Sequence, residues 1–100
     1  MKNELIGLST PGEVLKEEFL DPMGITQYAL AKGIFVDPPR IAAIIKGKRK
    51  ITADTSLRFA RFFGTSAEFW MNMQSRYDLE TLLEKKAKDF IRISRVEAAS

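Results

Sequence analysis

Cysteine and histidine are both absent from this 100-residue chain. The first absence excludes disulfides, thiolate zinc sites and thiol catalysis. The second removes the commonest general base, the usual activator of a hydroxyl nucleophile and the preferred imidazole ligand for metals. Long apolar runs are missing too: nothing approaches the roughly 20 residues that cross a bilayer, and the opening Met-Lys-Asn-Glu lacks a signal-peptide pattern. The carboxylates of Glu17, Glu18, Asp78 and Glu80 stand in helical segments without a partner pattern and read as solvated faces, so no nucleophile-and-base set can be assembled. Together these absences predict a cytosolic, non-enzymatic protein with no membrane segment, no metal and no cofactor.

What is present is the make-up of an ordinary globular domain, 45% hydrophobic and 29% charged, and long enough to bury a single core. The net charge of +3 says little about partners. Its placement says more. Each half of the chain carries eight Lys or Arg, yet four of them fall within five positions, at Lys46, Lys48, Arg49 and Lys50.

Local signals divide the chain into five helices. Thr10-Pro11-Gly12-Glu13 sets a capping hydroxyl before a first-turn proline, with a glutamate three residues on. This starts a first helix at Pro11 and carries it to Leu20, where Asp21-Pro22-Met23-Gly24 stops it. Thr26 caps a second helix, Gln27 to Gly33. Asp37-Pro38 repeats the cap-plus-proline start for a third, with Ile41, Ile44 and Ile45 as its buried stripe and Gly47 as its end. Thr52 opens a fourth, which bears Leu57, Phe59, Ala60, Phe62 and Phe63 and closes at Gly64. Thr65-Ser66-Ala67-Glu68 is a second capping box, for a fifth helix that runs to Lys88 with Phe69, Trp70, Met73 and Tyr77 at core spacing. Beyond it, Ile91 to Val96 alternates apolar and polar residues as a short strand does. The expectation is an all-α fold: an N-terminal arm (1–9), a helical domain (10–88) and a C-terminal tail (89–100) that forms a short strand or an ordered tail.

A three- or four-residue turn between the second and third helices is the spacing of a helix-turn-helix domain, whose third helix enters the major groove. Short helix pairs are common in all-α cores, so the basic cluster directly after the third helix carries weight. A loop there faces the phosphates that flank the groove, and Lys46, Lys48, Arg49 and Lys50 are its candidate phosphate contacts. The plainer reading of the cluster is a solubilising turn. Arg58 and Arg61, on the fourth helix, read as surface charges.

Several blocks carry a family resemblance. Pro11 to Leu20, Pro22 to Tyr28, Leu30-Ala31-Lys32, Pro38 to Ile41, Gly47-Lys48-Arg49, Ile51 to Thr55 and Arg58 to Trp70 follow one another as they do in HigA-type (VapI-type) antitoxins, a branch of the Xre family of helix-turn-helix regulators. The chain resembles that family from about Thr10 to Leu79. The resemblance implies a five-helix, lambda-repressor-like fold, a homodimer bound to a palindromic operator in double-stranded DNA, and a partner toxin, an RNA-cleaving enzyme, that the protein holds in check. It also implies that Gln27 contacts phosphate, that the reading positions of the third helix are Pro38, Pro39, Arg40 and Ala43, and that the fifth helix, with Phe69, Trp70, Met73 and Tyr77, pairs across a two-fold axis. A free-standing Xre repressor without a toxin would share the same DNA-binding face. An interaction module that keeps the fold without binding DNA is the reading from a different class.

Three features depart from the family pattern. Of the reading positions only Arg40 has hydrogen-bond donors, so specificity is expected to rest on Arg40, on apolar contacts with thymine methyls and on operator shape. Asp37 is expected to cap the third helix by accepting the Arg40 amide, since Pro39 has no N–H, while its charge opposes nearby phosphates. Phe35 stands where related repressors often carry glycine. Either it takes a left-handed backbone, at about 1 kcal/mol of strain, to bury its ring, or the turn is rearranged and tilts the third helix.

Overall fold

The computed structural model describes residues 9–97, so most of the expected N-terminal arm (1–8) and the last residues of the tail (98–100) lie outside the described residues. The first helix starts as its sequence dictates. At the head of α1 (Pro11–Val14), Thr10 Oγ1 accepts the Glu13 amide at 3.1 Å while Glu13 Oε1 accepts the Thr10 amide at 3.0 Å. The expected stop at Leu20 is not observed. The chain widens into a π-helical turn, Leu15–Leu20, continues as α2 (Asp21–Met23) and ends at Gly24 with φ 67°. Pro22 accounts for the widening: in α-register its ring would strike the carbonyl four residues back. A five-residue bond replaces that register, from the Asp21 amide to the Lys16 carbonyl, and a Schellman turn then ends α2, with the Gly24 amide bonded to the Asp21 carbonyl and the Ile25 amide to the Leu20 carbonyl at 3.0 Å.

α3 (Gln27–Ile34) is capped by Thr26, whose hydroxyl accepts the Ala29 amide at 3.0 Å. It ends in a Schellman turn, with the Phe35 amide bonded to the Lys32 carbonyl and the Val36 amide to the Ala31 carbonyl. Phe35 occupies the left-handed position, φ 61° and ψ 49°. Of the two expectations for this residue, the turn keeps the geometry a glycine would give it, but the strain is not offset by burial, because the ring is 86% exposed.

α4 (Pro38–Ile45) follows, then α5 (Ala53–Phe63), α6 (Ala67–Lys85) and α7 (Ala87–Ile91). Three helix ends differ from expectation, the first in its capping bond alone. Asp37 stands at the N-cap of α4, yet its side chain makes no capping bond: with Pro38 and Pro39 lacking N–H, the first available amide, Arg40's, bonds instead to the Asp37 backbone carbonyl at 3.0 Å. At the head of α6 the cap is Ser66, accepting the Phe69 amide at 3.0 Å, while Thr65 Oγ1 accepts from the Trp70 indole at 2.8 Å. The last helix breaks at Lys86 rather than running to Lys88, and no strand exists among the described residues. Ile91 ends α7, and Ile93 and Val96 are exposed, because a single extended segment has no neighbour with which to pair its backbone.

Leu15, Leu30, Ile41, Ile44, Phe59 and Trp70 form the centre of the core, at 0–1% exposure. Each such buried side chain contributes roughly 1.5–3 kcal/mol of apolar transfer. Around Trp70 stands an aromatic cluster, with Phe19 and Phe59 ring centroids each 4.9 Å away. α1 crosses the end of α4 without a spacer: a Cβ on Gly12 would collide with the Ile44 carbonyl oxygen and lie 2.8 Å from Ile45 Cα. That close approach is why a glycine follows the first-turn proline, and it holds the end of α4 against the body of the domain.

Candidate nucleic-acid interface

α4 has two faces set by its 3.6-residue period. Ile41 and Ile44 are buried against the core, while Pro39 and Lys46 are exposed and Ala43 is half-buried between them. Pro38 is also exposed at the helix start. This outer face is nearly bare of hydrogen-bond donors, which leaves it able to approach apolar groups closely. Gln27 is exposed as the first residue of α3, the helix packed against α4.

Beyond α4 the chain turns through another Schellman motif. Gly47, at φ 78°, bonds its amide to the Ile44 carbonyl, and Lys48 bonds to the Ala43 carbonyl. The basic loop thus starts from a fixed geometry. Its far end is fixed too: the Ile51 amide donates to Gln74 Oε1 at 2.9 Å, and Gln74 Nε2 donates to Asp78 Oδ1 at 3.0 Å. Lys46, Lys48, Arg49 and Lys50 are all exposed. Lys50 differs from the others in meeting a carboxylate, Asp78 Oδ2 at 3.2 Å. Asp37 shares an open cleft of about 380 Å³ with Pro39, Arg40 and Arg49, so its negative charge sits among cations rather than alone at the helix front.

Arg40 is placed differently from its neighbours. Its side chain is only 19% exposed, and Nη2 donates to Asp54 Oδ2 at 2.7 Å and to Thr55 Oγ1 at 2.6 Å, both on α5. Asp54 also accepts from Arg58 Nε at 2.9 Å. Hydrogen bonds from Arg58 first, and Arg40 second, hold the Asp54 carboxyl below its ordinary value of 3.8.

A pair of packed helices joined by a tight turn, with an open face on the second and cations after it, defines the architecture. The profile of the HTH_3 helix-turn-helix family matches residues 15–70. The chain belongs to the helix-turn-helix family. It is 49% identical over 85 residues to virulence-associated protein I of Dichelobacter nodosus, covering 85% of this chain and 78% of that protein. It is 43% identical over 68 residues to antitoxin HigA-1 of Vibrio cholerae, covering 68% of this chain and 64% of the relative. Among solved structures, Pseudomonas aeruginosa antitoxin HigA with the higBA promoter superimposes with a TM-score of 0.84 at 38% identity, over 89% of this chain and 97% of that one.

Within this helix-turn-helix domain α3 and α4 are the motif's two helices, and the four aromatic and Met residues singled out on α6 part company. Trp70 is fully buried in the domain's own core, which removes it from any contact with a second copy in this conformation. Met73 packs half-buried against that core. Tyr77 is half-buried, and Phe69 is 41% exposed. A spacing that suits a core stripe thus fits Trp70 and Met73, whose side of α6 faces α5. Arg58, expected as a surface charge, is instead half-buried and donates from Nη1 to the Ile34 carbonyl at 2.7 Å. Sequence reasoning also missed Gln74, Asp54 and Thr55. The one available signal was a glutamine in the middle of an otherwise core-facing stretch, since a buried amide needs partners.

Proposed function

We propose that this protein is the antitoxin of a type II toxin–antitoxin module. It represses its own operon by binding a palindromic operator, neutralises an RNA-cleaving toxin encoded beside it, and acts in the cytoplasm. The observation that carries the DNA half is the paired placement of a donor-poor α4 face and a basic loop fixed at both ends. Pro38, Pro39, Ala43 and Lys46 meet base edges and the groove rim, while Gln27, Lys48, Arg49 and Lys50 meet phosphates. The similarity to an antitoxin HigA solved with its promoter supports the operator, and the likeness to antitoxin HigA-1 supports the toxin partner. The protein works as a homodimer, in which exposed Phe69 and half-buried Met73 and Tyr77 are the members of the aromatic and Met set left to meet a second copy. The two α4 helices then enter successive major grooves about 34 Å apart.

A mobility-shift assay with the DNA upstream of the protein's own gene, combined with co-purification of the neighbouring gene's product, tests the proposal. A specific shift together with a stable complex that blocks RNA cleavage is the expected result. A specific shift without a toxin partner would make the protein a free-standing repressor, and no shift at all would overturn the DNA-binding reading.

A further inference from the structure

The Arg40 guanidinium is tied to α5 at the edge of the cleft it shares with Asp37, Pro39 and Arg49. Its Nη2 uses both of its hydrogens, on Asp54 and on Thr55, and Thr55 is 1% exposed. Its Nε is enclosed without an acceptor, so the guanidinium is packed rather than extended into solvent. Asp54 binds Arg58 as well, and Arg58 reaches the carbonyl of Ile34, the last residue of α3. A continuous run of charge-assisted bonds therefore leads from the end of α3, through α5, to the first turn of α4. It spans the left-handed Phe35 turn that joins the two motif helices.

We infer that Arg40 is a positioning residue of the DNA interface: through Asp54 it sets the tilt at which α4 presents Pro39, Ala43 and Lys46, and it reads no base itself. The inference rests on the DNA-binding reading above. To make a bidentate contact with a base, Arg40 would have to free Nη2 from both short bonds, leave the buried Thr55 hydroxyl with the 3.4 Å contact from Thr52 Oγ1, and leave Asp54 with Arg58 as its remaining arginine. One bidentate contact with guanine returns no more hydrogen bonds than are lost. Base discrimination then falls to the apolar α4 face, and the operator half-site it suits presents thymine methyl groups to Pro39 and Ala43.

The test is selection from a randomised duplex library, followed by affinity measurement on the selected operator, with the wild-type protein, Arg40→Ala, Asp54→Ala and the double variant. Circular dichroism confirms the helical content of each. The expected result is that either single change weakens binding about tenfold, that the double variant is no weaker than the singles, and that all four select the same sequence. Loss of preference at one base pair in Arg40→Ala, with wild-type affinity in Asp54→Ala, would overturn the inference while leaving the DNA-binding reading intact. Should Arg40→Ala fail to fold, the exposed Asp54 decides alone: weaker binding with unchanged selection supports the positioning role, and unchanged affinity overturns it. If the wild-type protein enriches no sequence, the DNA-binding reading falls and takes the inference with it.

Discussion

Gln74, buried in the middle of α6, accepts the backbone amide of Ile51 on its side-chain oxygen at 2.9 Å. A single side chain thereby ties the far end of the basic loop to the longest helix of the domain. Gln74→Leu keeps the volume but leaves the Ile51 amide unpaired in the interior. The expected cost is about 1–3 kcal/mol of folding stability, measured by chemical denaturation. A change much smaller than this would mean that the loop re-pairs its amide elsewhere.

Phe35 holds a left-handed backbone while its ring remains in solvent. Phe35→Gly relieves the Cβ strain and gives up little buried surface, so stability is expected to rise by about 1 kcal/mol. Thermal melting of the two proteins checks this, and a fall in melting temperature would show that the ring has a packing role.

Asp37 makes no side-chain cap, because the amide it would have accepted is bonded to its own carbonyl. Asp37→Asn is therefore expected to leave the melting temperature unchanged while tightening operator binding severalfold, through removal of one negative charge facing phosphate. Unchanged affinity would mean that the cations sharing its cleft already offset it.

Each cation that meets a phosphate adds about one unit to the slope of log affinity against log salt. Alanine at Lys46, Lys48 or Arg49 is expected to lower that slope by about one. Lys50, paired with Asp78 at 3.2 Å, is expected to lower it by less. Fluorescence anisotropy at several salt concentrations measures all four. A slope insensitive to every one of them would return the cluster to a solubilising turn.

Asp54 is held below its ordinary value by hydrogen bonds from Arg58 and Arg40. A lowered carboxyl contributes stability that is complete above the unfolded-state value, near 3.8, and is lost as pH falls through the lower folded-state value. The stability difference between wild type and Asp54→Asn is thus expected to be constant from about pH 5 to 7 and to shrink below about pH 4. Denaturation series across that range measure it, and a difference that persisted into strong acid would rule out the ionised carboxylate as its source.

Much of the fold was legible in the residues. The caps at Thr10, Thr26 and Thr52 form as read, since each hydroxyl reaches an amide only three positions on. The same locality explains the errors. Ser66 and Thr65 both offer a hydroxyl, and the choice between them is made by the Trp70 indole, which takes Thr65. The Pro22 stop became a π turn because the chain could keep its helix by shifting to five-residue hydrogen bonds ahead of the ring.

By itself the sequence determined where helices begin, which positions repeat at core spacing, and that no cysteine or histidine chemistry is available, all of which are properties of residue type and near neighbours. Only the tertiary structure decided that Arg40 lies on Asp54, 14 residues away, and that Gln74 holds Ile51, 23 residues away. Those pairings depend on how α4, α5 and α6 cross, and a crossing angle is fixed by packing across the core rather than by spacing along the chain. The outer face of the reading helix was visible in the order of its residues. The bonds that hold its one arginine against α5 were not.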